Sequence, residues 1–194
     1  GWAFEGDLPK GLAEIDRRLA RPGGGSGCDD ALLARGLLLL WSGRFDEAEA
    51  TFGSILETGE ARGPLLTRVS AAYSRADCRY RQGAWDAALG EAEQLVALME
   101  AGDHDLALPM AHGIAAFVHA GRGADTEAKR HLVDGHAAQA RSGKGRLPLL
   151  TVAFRAVIRR DRTAARHSLA DAKTRKNFTE QIVGAELAGD LAQR

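Results

Sequence analysis

At 194 residues the chain has room for one domain with a sizeable core, or for one segment of a larger protein. Its 26 basic and 26 acidic side chains cancel, which excludes an overall basic field that would draw in nucleic acid. With 45% hydrophobic residues, 2 cysteines and no long apolar run, neither a disulfide scaffold nor a membrane-spanning segment is expected.

Cys28 and Cys78 stand far apart and read as reduced thiols of a cytoplasmic protein. Residues 1–7 lack the basic start and apolar run of a signal peptide. Opening on Gly1 rather than Met, the chain reads as a processed or excised segment. Ala, Leu and Arg are abundant, and these residues favour helix.

The first predicted helix covers 9–20, with Pro9 in its first turn and Leu12, Ile15 and Leu19 on one face. A glycine-rich linker, 21–27, ends it. Asp29 or Asp30 is the expected cap of a helix over 30–42, which is apolar on nearly every face and so needs cover on both sides. That cover is the 9–20 helix, a preceding segment or a second copy of the chain. Gly36 would admit a neighbouring helix at close range.

Gly43 stops this helix, and Asp46 is the expected cap of 46–60, whose stripe is Ala48, Phe52, Ile55 and Leu56. Helices then follow over 65–82 and 86–101, the second capped by Asp86. The next pair is 105–120, with Asp103 and Asp105 as caps, and 124–140. Leu106, Leu108, Ile114 and Val118 are assigned to the core of the first of these. After a linker near 142–145, less regular helices are expected over 147–160, 163–173 and 178–193. No stretch alternates like a strand. The expected fold is all-α, a right-handed superhelical stack of antiparallel hairpins in one domain, with repeats over 28–64, 65–103 and 104–143.

The repeat is visible in the letters. Gly43, Phe45, Asp46 and Ala48 return as Gly83, Trp85, Asp86 and Ala88, a shift of 40 residues, and Gly123 and Ala128 continue it. Gly36, Gly43, Ala48 and Phe52 fall at spacings that resemble the tetratricopeptide (TPR) motif, as do Ala76, Gly83, Ala88 and Ala92. The period departs from the 34 residues of that class. Over about residues 30–172 the Ala- and Arg-rich style is similar to the helical sensor region of large LuxR-type transcriptional activators of actinobacteria. That resemblance implies a sensor segment between an ATPase module and a helix-turn-helix. No phosphate-binding G-x-x-x-x-G-K-[ST] loop is present, so ATP binding does not carry over.

No catalytic or metal constellation stands out, and no cofactor is expected. His112 and His119 are seven residues apart, about 10 Å along a helix, too far to chelate one ion. His131 and His136 diverge around theirs. Ser70, Tyr73, Ser74 and Asp77 have no neighbouring base. Trp41, Trp85, Tyr80 and Phe45 read as packing residues, with a stacking platform the alternative.

In a hairpin stack the first helix of each pair lines the concave side. That groove would present Tyr73, Asp77, Tyr80 and Arg81, then Met110, His112 and Phe117, as a site for a protein partner or small effector. The resemblance to LuxR-type activators implies a non-enzymatic sensor segment, with no membrane or nucleic acid contact of its own expected. The alternative is a stand-alone TPR adaptor that mediates protein assembly.

Overall fold

The computed structural model describes residues 8–20, 28–58 and 64–142. Those residues form α1 (Leu8–Leu19), α2 (Cys28–Trp41), α3 (Phe45–Thr58), α4 (Leu65–Arg81), α5 (Trp85–Ala101), α6 (Leu108–Gly121) and α7 (Asp125–Ser142), with no strand among them. The described part is all-α. The linkers at 21–27 and 59–63 and the helices expected after 145 lie outside it.

One backbone device makes the hairpins. Gly43, Gly83 and Gly123 have φ of 74°, 80° and 77°. The N–H after each glycine reaches back five residues: Arg44 to the Leu39 carbonyl at 2.9 Å, Ala84 to Arg79 at 2.8 Å, Ala124 to His119 at 2.9 Å. Each glycine N–H donates three residues back, to Leu40, Tyr80 and Ala120. These paired bonds are the Schellman closure, whose left-handed residue favours glycine for want of a Cβ. The end of α5 closes alike with an aspartate in the glycine's place: Asp103 has φ 52°, and the His104 N–H meets the Met99 carbonyl at 2.9 Å.

The expected caps are corrected. Asp46 and Asp86 fall inside the first turns of α3 and α5, where their charge still complements the helix dipole. The carbonyls of Arg44 and Ala84 accept the first helical bonds, from Ala48 and Ala88. Asp29 and Asp30 likewise sit within α2. Asp103 and Asp105 do not cap α6, which starts at Leu108 after Ala107 with no side-chain cap bond. Asp105 instead pairs with Arg141 of α7 at 2.9 Å. Leu106, left in the turn, is exposed rather than core.

The described residues fall into two compact units, one ending at Leu95 and the next beginning at Val96. In the first, α1 packs on α2, α2 on α3 and α4, and α3 on α4. Leu39, Leu40, Ala48, Phe52, Ile55, Ala71 and Cys78 form its core, with Leu12 of α1 against it. The all-round apolar α2 is thus covered by α1, α3 and α4. Gly36 lets Phe52 in: a Cβ there would sit 2.8 Å from Cδ1 and Cζ of the ring. Arg35 ties the layers together, donating to Asp16 of α1 at 2.8 Å and Thr51 of α3 at 3.0 Å. In the second unit α6 packs on α7. Its buried residues include Ile114, Ala115, Val118, Leu132 and Ala138.

Candidate functional site

Tyr73, Asp77, Tyr80 and Arg81 recur at spacings of three and four, so they form one strip of α4. Asp77 is buried, and its Oδ1 accepts from Arg81 Nε at 3.0 Å. Burial, with the Asp77 carboxylate beside it, raises the Tyr73 phenol, which stays protonated. Tyr80 stacks on Trp85 with ring centroids 6.2 Å apart and planes 19° apart. The Trp85 indole N–H donates to the Tyr80 carbonyl at 3.1 Å while the ring remains 44% exposed. Trp85 therefore belongs with the strip. Trp41 and Phe45, in contrast, pack against the core.

Met110, His112 and Phe117 lie on α6 in the second unit. Met110 and Phe117 are half-buried. His112 is only 3% exposed and bonds to α7, so it is an interhelical residue rather than a lining one.

The structure adds a relationship that the letters do not show. Thr51, Glu91 and His131 are separated by the same 40-residue step, and all three are buried. Each turns back to the first helix of its hairpin. Thr51 Oγ1 accepts from Arg35. Glu91 accepts from Arg75 Nε at 2.7 Å and Arg79 NH1 at 2.8 Å, and Arg79 also reaches Glu49 of α3 at 2.7 Å. In the third hairpin the position equivalent to Arg75 is Ala115, and that equivalent to Arg79 is His119. His131 therefore has no guanidinium from α6. Its Nδ1 meets His112 Nδ1 at 3.1 Å, and its ring stacks on His119, centroids 5.2 Å and planes 20° apart.

Electrostatics around this cluster favour neutral rings. His131 is lowered to about 4, first by burial and then by Arg130, His112 and His119; Arg130 NH2 lies 3.2 Å from its Nε2. Burial also lowers His112, against the pull of Asp134 and Glu100; Glu100 Oε1 is 3.8 Å from His112 Nε2. Sequence reasoning placed His131 with its helix neighbour His136 and missed that it meets α6. The signal was the 40-residue register, which aligns His131 with Glu91.

Among the described residues no group of three His, Cys, Asp or Glu could hold a metal ion. Cys78 is fully buried and its thiol is pushed up to about 12 by burial, with Asp77 and Glu49 adding to it, so it is a poor nucleophile. Two clusters thus stand out among the described residues: an aromatic and charged strip on α4, and a buried histidine contact between α6 and α7. The chain matches no protein-family model, and no curated protein matches it. Among the described residues no helix is long and apolar enough to cross a membrane.

Proposed function

We propose that this chain is a non-enzymatic, cytoplasmic binding scaffold of TPR-like stacked hairpins, serving as the sensor segment of a LuxR-type multidomain transcriptional regulator. The observation that carries the scaffold reading is the identical Schellman turn at Gly43, Gly83 and Gly123, which repeats one hairpin unit at a constant step. Repeated hairpins that stack present continuous surfaces suited to extended partners. The working surface is the α4 strip of Tyr73, Asp77, Tyr80 and Arg81, with Trp85 of α5 beside it. It takes a peptide segment or a small effector. The strip combines exposed indole, a phenol and a guanidinium, the side-chain types that dominate binding energy at protein interfaces. A ligand there shifts the chain between two conformations only by its difference in affinity for them.

A displayed random-peptide library panned on the full chain tests the surface. Selected peptides should lose about tenfold or more in affinity on Tyr80→Ala or Arg81→Glu and keep it on Lys129→Glu. Peptides that bind a Tyr73→Ala/Tyr80→Ala variant as tightly as the parent chain overturn the assignment. The regulator role is tested by the full coding sequence, which should carry an ATPase module before this segment and a helix-turn-helix after it.

A second reading, a stand-alone adaptor, draws on the exposed Leu66, Leu98, Leu106 and Val133, apolar side chains suited to protein contact. Light scattering across concentrations separates the two: a dimer that forms with concentration favours assembly, a monomer favours sensing.

A further inference from the structure

The second and third hairpins fill the same interior position with different electrostatics. Glu91 is held by two guanidiniums whose charge persists across the biological pH range. His131, one step further on, is held by His112, a second imidazole, and is stacked on His119. With an Nδ1–Nδ1 contact of 3.1 Å, one ring donates its N–H and the other accepts on a bare nitrogen. Once both rings are protonated, each Nδ1 carries a hydrogen. The bond then becomes two donors facing one another between like charges.

We propose that the α6–α7 hairpin is an acid-sensitive latch: His112 and His131 join the two helices while they are neutral, and their protonation releases the hairpin. The same register in the α4–α5 hairpin carries no imidazole and is held by the Arg75 and Arg79 guanidiniums on Glu91, so it stays shut.

The charged groups around the pair decide the sense of the switch. From α7, Arg130 lies against His131, and Asp134 and Arg141 act on His112. From the end of α5, Glu100 approaches His112. From α6, His119 stacks on His131. The carboxylates Asp134 and Glu100 favour a proton on His112. Burial opposes it at both rings, and Arg130 opposes it with them. The proton therefore enters readily only when the helices part and water reaches the rings. Acid then stabilises the open hairpin by mass action, because the open form binds protons that the closed form excludes.

The test is amide hydrogen exchange on the full chain between pH 7 and pH 4.5, corrected for intrinsic rates. The expected result is an increase of about a hundredfold in the opening of α6 and α7, while α4 and α5 change far less. A His112→Phe/His131→Phe variant keeps ring-shaped side chains in the interface without a titrating group and should lose the pH-dependent increase. A His136→Gln variant should keep it. Should the double variant fold poorly, nitrogen-15 spectra of the histidine rings in the unaltered chain decide the matter. Rings that stay neutral until the hairpin opens support the latch. Rings that protonate near pH 6.5 while α6 and α7 remain protected overturn it, as does equal opening of the double variant and the parent.

Discussion

The Nδ1 atoms of His112 and His131 lie 3.1 Å apart across the α6–α7 interface, at a position where the preceding hairpin holds Glu91 between Arg75 and Arg79. One repeat position thus carries an ion pair in one hairpin and a pair of neutral imidazoles in the next.

The pH dependence of stability follows with a definite sign. His131 takes its proton near pH 6.5 in the unfolded chain and near pH 4 in the fold. Between those values the unfolded state binds more protons, so stability falls as the pH falls. The contribution is fully present above about pH 6.5, and about 2–3 kcal/mol of it is lost by about pH 4. Urea titrations at intervals across this range should show the loss in the parent chain and a shallower one in His131→Phe.

Removing the carboxylate at Glu91 leaves Arg75 and Arg79 facing each other in a largely buried place. Glu91→Ala should cost about 2–4 kcal/mol, since the guanidiniums, each about a quarter exposed, regain only part of their hydration. Raising the salt concentration should recover little of it, because buried charges are poorly screened. A denaturant midpoint within error of the parent's would remove the ion pair from the list of interactions that hold α4 to α5.

Gly36 and Phe52 share one space. A methyl group at 36 meets the wall of a fully buried ring, so Gly36→Ala should destabilise by ~1–3 kcal/mol. Combined with Phe52→Leu, which vacates ring volume, the two changes should cost less than their separate effects added. A double-mutant cycle in urea reads that coupling directly.

The turns make opposite predictions from one geometry. Gly83→Ala places a Cβ on a residue with φ of 80° and should cost ~1 kcal/mol. Asp103→Gly relieves a side chain already held at φ 52° and should stabilise by a few tenths to ~1 kcal/mol. Thermal unfolding of the two variants should shift the melting temperature in opposite directions.

Cys78 should resist alkylation in the folded chain. It is fully buried and its thiol is pushed up to about 12, so neither access nor thiolate is supplied at neutral pH. Iodoacetamide followed by peptide mass mapping should label Cys78 only once the chain is unfolded. Labelling at the rate of an exposed thiol would mean that the core around α2, α3 and α4 opens readily.

By itself the sequence determined the helices of the described residues and, to within two residues, where they stop. Glycine at 43, 83 and 123 marks the only kind of residue that adopts a left-handed turn without strain, and apolar residues at spacings of three and four mark the buried faces. Both signals are local, so they survive without a fold, and Ala48, Phe52, Ile55, Ala88 and Ala92 were legible as core on that basis. Helix starts were less legible, because a carboxylate suits the first turn nearly as well as the cap, as Asp46 and Asp86 show. Only the tertiary structure decided which polar residues meet. His112 and His131 are 19 residues apart, and Arg35, Arg75 and Arg79 find their carboxylate or hydroxyl partners on other helices. The sequence records which side chains can bond or titrate. Burial and facing direction, which decide whether they do so with one another, are properties of two packed helices and belong to neither alone.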